Sequence, residues 1–428
     1  MWDSLPEYML AEIFAYLDVF DRSAVCNVCR SWKNAAKHPD VWNWITLTRE
    51  HFESSKYGAD VACIIFNNMK YCKALTLDLS VSEGLHVTEV ASRFCKNLKH
   101  LKMMSMSPLR RFGTKFELFP RTFFTLFEKN FNLESIDLDN VALCYSTNHP
   151  LPIGPRHAKT LRKLRLINSM VTFSPSSLMY LVNLTELTMS PNFLHYSLIK
   201  HLSKHSLKRL NLVDRSNVLG HSETLSEFKW EEIASQKDFR VGYFIMKKMS
   251  FLAPSRKFLV SPGMPLCSVV YNNNSWLPYT ALLKLLGPFS STLEELVDFS
   301  LSKDGGWTDS GDELLMSLVK SFPHLRTLSL RVPISTGTLL LMVTLRENLI
   351  NLPVREDMVS FNCTLDLDEY TQLSQQQKTR IQENCVCKES FEAAMTFLTC
   401  QPWHLMEWQE YCDWMRDRYG PFLGTYLQ

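Results

Sequence analysis

An apolar residue followed by two more at +3 and +5 recurs along the chain. It reads Trp42-Ile45-Leu47, Cys72-Leu75-Leu77, Leu98-Leu101-Met103, Leu133-Ile136-Leu138, Leu161-Leu164-Leu166, Leu184-Leu187-Met189 and Leu207-Leu210-Leu212. It continues as Leu266-Val269-Tyr271, Leu296-Phe299-Leu301, Leu325-Leu328-Leu330 and Leu349-Leu352-Val354. Successive starts lie 23 to 35 residues apart, except for one gap of 59, where FRVGYF from Phe239 is the candidate for a hidden copy. In an extended strand, positions +3 and +5 point the same way and +4 points the other. The +4 residues Lys102, Asp137, Arg165, Thr188, Asn211 and Ser329 are polar, so each copy predicts a strand buried on one side. Stretches with helical periodicity separate the strands at 119–130, 174–183, 278–286 and 310–322, the last with Ser310 and Glu313 at capping-box spacing.

Strand, turn and helix repeated about eleven times at this period is the signature of leucine-rich repeats. Each unit cannot bury its apolar face alone, and stacking the units makes a continuous core. The expected fold is α/β: a curved, irregular solenoid with strands on the concave face and helices on the convex face. The asparagine that follows the core motif in regular members is present only as Asn192 and Asn274.

Residues 4–42 precede the first repeat. Pro6 and Glu7 suit a first helical turn, and Leu10, Ile13, Phe14 and Leu17 follow at helical spacing. A second helix is expected from Asp21, carrying Val25, Val28, Cys29, Trp32 and Ala36 and stopping at Pro39. About forty residues cannot bury this much Leu, Ile, Phe and Trp unaided. Two readings stay open: a cap on the solenoid, or a docking module whose surplus apolar surface is covered by another protein.

The runs Leu5-Pro6-Glu7, Glu12-Ile13-Phe14, Leu17-Asp18, Val28-Cys29-Arg30-Ser31-Trp32 and Pro39-Asp40-Val41-Trp42 resemble an F-box in order and spacing. The resemblance implies an all-helical F-box over 1–41; the spacing places the repeats over 42–360 and a C-terminal helical cap with an aromatic tail over 361–428. It implies docking to the Skp adaptor and, through it, to the cullin and RING subunits of an SCF ubiquitin ligase, with a protein substrate held on the repeats. The residues it carries over as adaptor-binding candidates are Leu5, Pro6, Ile13, Leu17, Val28, Trp32 and Trp42; it does not say which of them fill the F-box's own core. The alternatives are an F-box scaffold without a ligase role and a plain repeat interaction protein.

Composition narrows the remaining choices. Hydrophobic residues make up 46% and formal net charge is +2, so no concentrated positive field points to nucleic acid or an anionic membrane. The N-terminus lacks the pattern of a signal peptide, and no apolar run nears the roughly 20 residues of a membrane helix. An intracellular protein, cytoplasmic or nuclear, with reduced thiols is expected. Cys26 and Cys29 lack a second ligand pair and read as helix packing rather than half a zinc knuckle. His201 and His205 have Leu202 where a zincin needs Glu, and there is no phosphate loop. No catalytic residue, metal or cofactor is expected. Lys247, Lys248, Arg256 and Lys257 read as a solvated face. In the C-terminal segment Trp403, Trp408, Tyr411 and Met415 fit a cap over the last repeat; candidate substrate contacts are Trp414, Tyr419, Phe422 and Tyr426 there and Trp307 in the repeats.

Overall fold

In this computed structural model the described residues are 5–105, 115–141, 153–167, 175–215, 228–234, 238–246, 261, 263–271, 279–299 and 311–423. The chain divides into two compact units, Met1–Leu210 and Asn211–Gln428. The first opens with three helices, α1 (Glu7–Ala15), α2 (Val19–Val25) and α3 (Arg30–Ala35). It continues through β1 (Trp44–Leu47), α4 (Arg49–Glu53), α5 (Ala59–Asn68), β2 (Ala74–Asp78), α6 (Ser82–Phe94), β3 (His100–Met104), α7 (Lys115–Lys129) and β4 (Ser135–Asp139). It ends with β5 (Lys163–Ile167), α8 (Pro175–Leu178), β6 (Glu186–Met189) and α9 (Tyr196–Ser203), and the boundary falls within β7 (Arg209–Asp214).

All pairings from β1 to β6 are parallel and follow chain order, the arrangement that strand–helix repeats impose. Ile45, Leu75, Leu101, Ile136, Leu164 and Leu187 face one another across the strands, so the +3 positions form one buried row, as the spacing predicts. Helix α6 lies so close beneath β2 that a Cβ on Gly84 would sit 2.0 Å from the Asp78 carbonyl oxygen. Buried Asn130, just past α7, ties two repeats together: its Oδ1 accepts from the Leu98 amide at 2.9 Å and its Nδ2 donates to Cys95 and Leu126 carbonyls. The polar residues on the other side of the strands also interact: Arg165 reaches the +4 residue Asp137 at 3.3 Å and the +6 residue Asp139 at 3.4 Å.

The second unit holds α10 (Trp230–Ala234), β8 (Arg240–Ile245), β9 (Leu266–Tyr271), α11 (Tyr279–Leu286), β10 (Glu295–Asp298), α12 (Gly311–Ser321) and β11 (Thr327–Ser329). After β11 come β12 (Ile334–Ser335), α13 (Thr336–Leu345), β13 (Val359–Ser360), α14 (Gln375–Asn384), α15 (Lys388–Thr399) and α16 (Trp408–Leu423). Strands β8 to β11 again pair parallel in chain order. The hidden copy near Phe239 is a real strand, but Tyr243 rather than Gly242 stands opposite Val269, one residue later than the Phe239 frame, and the register shifts at Val241/Gly242. A second correction concerns β10. Leu296 pairs with Leu328 and is therefore the +3 residue of a motif starting at Leu293, three residues earlier than the Leu296-Phe299-Leu301 reading. Both frames are apolar, and only neighbouring strands decide between them. The Leu349 copy forms a single bridge, Thr327 to Asn351. Ser310 and the basic residues Lys247, Lys248, Arg256 and Lys257 lie outside the described residues.

Candidate functional site

Helix α1 is apolar on two sides. Leu10, Ala11 and Phe14 are buried, while Met9, Ile13 and Tyr16, spaced i, i+4, i+7, face outward with Tyr8 beside them. Tyr16 is 83% exposed and Tyr8 68%, an unusual share of open apolar area for nine residues. Pro6 occupies the N-cap position, where its missing N–H costs nothing, and Glu7 lies in the positive first turn.

The stretch expected as one helix from Asp21 to Ala36 is two. Asp18 caps α2, accepting from the Phe20 amide at 2.7 Å and the Asp21 amide at 2.9 Å, so the helix starts at Val19. It stops at Val25, and Cys29 restarts the chain as the N-cap of α3 in extended geometry, its Sγ accepting from the Trp32 amide at 3.5 Å. Cys29 is therefore a cap, not a residue on a continuous helical stripe, and the break turns Val28 outward to 58% exposure. Burial raises the Cys26 thiol pKa, partly opposed by Lys33 and Lys37.

Exposure sorts the adaptor-binding candidates. Pro6, Ile13 and Val28 are exposed; Leu5, Leu17 and Trp32 are half-buried. Trp32 packs on Phe14 at 5.2 Å, and its indole Nε1 is buried without an acceptor. Trp42 is fully buried, with Nε1 donating to the Ala36 carbonyl at 2.7 Å, so it belongs to the interior of the segment. Tyr8, Met9 and Tyr16 escape a reading by motif; the signal for them is the second apolar stripe on α1.

One buried charge joins this segment to the first repeat strand. The Arg22 guanidinium donates to the carbonyls of Leu17 at 2.9 Å, Ala15 at 3.0 Å and Trp44 at 2.6 Å. Its Cζ lies 3.9 Å over the Trp44 ring. Desolvation lowers its pKa to about 10, opposed by Asp18.

An F-box-like family profile matches residues 2–48, the same span as these helices and β1. The N-terminal segment is an F-box-like domain. The mouse F-box/LRR-repeat protein 21 is 39% identical to the chain over 41 residues, 10% of this chain and 9% of that protein. A chain of the Drosophila Toll–Spatzle complex superposes on 75% of this chain and 40% of its own length, at 13% identity and a TM-score of 0.29. The repeat fold is assigned from the strand register above, not from that likeness.

The F-box thus presents an open apolar face on α1 and an exposed Val28 at the α2–α3 break, while a buried arginine of α2 ties α1 to β1. Among the described residues, no three His, Cys, Asp or Glu side chains converge as a metal site, and no helix is long and apolar enough to cross a membrane.

The candidate substrate contacts divide. Trp307 and Tyr426 lie outside the described residues. Tyr419 is buried with its hydroxyl on Glu295, Phe422 stacks on Phe244, and half-buried Trp414 sits between Tyr411 and Tyr419. Tyr419 and Phe422 therefore contact the protein's own strands. The stripe read as a single cap also splits: Trp403 donates to the Leu352 carbonyl at 3.0 Å beside the last repeat, whereas Tyr411 reaches Ser329 at 2.8 Å.

Proposed function

We propose that the chain is the substrate-recognition subunit of an SCF-type cullin-RING ubiquitin ligase. Its F-box docks on the Skp adaptor, which links it to the cullin and RING subunits, and its repeats hold a protein substrate. The observation that carries this reading is the outward stripe Met9, Ile13 and Tyr16 on a helix whose opposite side is already buried. Such a surface is stabilised only when another protein covers it, at roughly 25 cal/mol per Å² of apolar area removed from water.

The chain supplies proximity rather than an acid, base or nucleophile. Holding a substrate lysine near the conjugating enzyme's thioester raises its effective concentration, and a rigid mount restricts the search. Arg22 on α2, bonded to the end of α1, to the turn after it and to β1 at once, fits that requirement. Adaptor pull-down with the wild-type chain and with Leu5→Ala/Pro6→Ala tests the docking, and no wild-type binding overturns it. Where docking holds, accumulation of a bound partner after removal of residues 1–42 marks a ligase receptor, and an unchanged partner level marks a scaffold. Cytoplasmic or nuclear residence follows from the same reading.

A further inference from the structure

Adaptor docking leaves one covered surface in the second unit unexplained. Along its strands alternate residues point away from the helices: Gly242 and Phe244 on β8, Ser268 and Val270 on β9, Glu295 and Val297 on β10, Thr327 and Ser329 on β11. Helix α16 crosses this row. The Tyr411 hydroxyl lies 2.8 Å from Ser329 Oγ, the Tyr419 hydroxyl donates to Glu295 Oε1 at 2.6 Å, and Phe422 stacks on Phe244 at 3.9 Å. Arg418 donates to the same Glu295 oxygen at 3.1 Å, and Arg215 Nε holds the Phe422 carbonyl at 3.0 Å. Tyr411, Met415 and Tyr419, spaced i, i+4, i+8, are all buried, and Val270 and Val297 have no exposed area.

We propose that this strand row is a groove for an amphipathic helix of a protein partner, and that α16 is its intramolecular stand-in, which the partner displaces. The inference rests on the reading of the repeats as a substrate-holding surface. The seated helix specifies the partner's chemistry: large apolar residues at i, i+4 and i+8, with a cation beside the last to meet Glu295. A helix lacking that cation leaves the largely covered carboxylate with hydroxyl donors only, from Ser268 and from the helix itself, and no opposite charge. Displacement is built into the sequence of α16. Gly420 and Pro421 fall in its last turns and are the poorest helix formers, so the docked helix depends on the groove. Its bonds to Ser329, Thr327 and Glu295 are side-chain pairs that a partner helix can replace one for one. Tethering gives α16 an effective concentration of order millimolar, so a free helix of equal affinity is excluded until α16 is loosened.

The test is a labelled peptide of residues 405–423 titrated into the full chain, wild type and Tyr411→Ala/Tyr419→Ala/Phe422→Ala. Thermal unfolding and adaptor binding are measured on both. The variant is expected to bind the peptide at least about tenfold more tightly than wild type. In wild type, the amides of 408–423 are expected to exchange with deuterium before those of β9 and β10. A variant that unfolds like wild type and binds the adaptor but not the peptide overturns the inference. So does α16 exchanging only together with β9 and β10, a result independent of how the variant folds. Loss of adaptor binding with peptide binding intact removes the proposed function and leaves the groove standing.

Discussion

Arg22 and Trp44 are joined twice: the guanidinium donates to the Trp44 carbonyl at 2.6 Å and its Cζ lies 3.9 Å over the indole ring. The arginine sits on α2 and the tryptophan opens β1, so one buried cation joins the F-box helices to the first repeat strand. Replacing it with Leu strands three carbonyls, each costing about 1 kcal/mol or more, and removes a cation–π contact of about the same size. Arg22→Leu is expected to destabilise the chain by about 4 kcal/mol in urea unfolding, with faster deuterium exchange across α1 and α2. An unchanged midpoint contradicts the role given to this contact.

Burial separates two kinds of F-box substitution. Ile13→Asp and Val28→Asp alter exposed positions, so stability is expected to stay within about 0.5 kcal/mol while adaptor binding falls. Trp42→Ala empties a fully buried site and breaks the bond to Ala36, so it is expected to cost about 3–5 kcal/mol. Trp32→Phe removes an indole N–H that has no acceptor and is expected to cost less than Trp42→Phe. Chemical denaturation of the five variants decides the ranking.

The repeat strands were legible because the +3/+5 spacing follows from strand geometry alone. Residues such as Leu101 and Ile136 had one reading in any frame. The break at Cys26–Cys29 was not legible, because Val25, Val28, Cys29 and Trp32 satisfy helical spacing whether or not the helix is continuous. A cysteine thiol is also a weak capping acceptor that sequence rules do not rank. Leu293 and Leu296 both open plausible motifs, and only β11 selects the first. For α16, the stripe of Tyr411, Met415 and Tyr419 declares a face to bury but not which surface receives it. The Arg22 contact left no trace in the sequence, since its acceptors are backbone carbonyls.

Two buried phenols on α16 give a pH dependence. Burial raises the Tyr411 pKa to about 12 and also raises that of Tyr419, where the Glu295 carboxylate adds to the effect and Arg418 opposes it. A group whose folded pKa lies above its unfolded value stabilises the fold fully below the unfolded value, near 10, and loses that contribution as pH rises. Each phenol is expected to remove about 1.4 kcal/mol of stability per pH unit above 10, for Tyr411 until about 12. Urea midpoints measured from pH 9 to 12 are expected to fall less steeply for Tyr411→Phe/Tyr419→Phe than for wild type, and parallel slopes contradict this.

Gly84 sets two effects against each other. Alanine gains about 1 kcal/mol in helix propensity, but its Cβ would lie 2.0 Å from a backbone oxygen that cannot rotate away. The clash is expected to win, because α6 must shift off β2 and loosen the packing around Val87 and Ala91. Gly84→Ala is therefore expected to lower the thermal midpoint, and a raised midpoint contradicts the packing described.

Calorimetric titration of the Skp adaptor into the full chain, wild type and Ile13→Asp, tests the central claim most directly. The account predicts one adaptor per wild-type chain and more than about tenfold weaker binding to the variant, with unfolding midpoints unchanged. Absence of heat with the folded wild-type chain, or equal affinity for both, contradicts it.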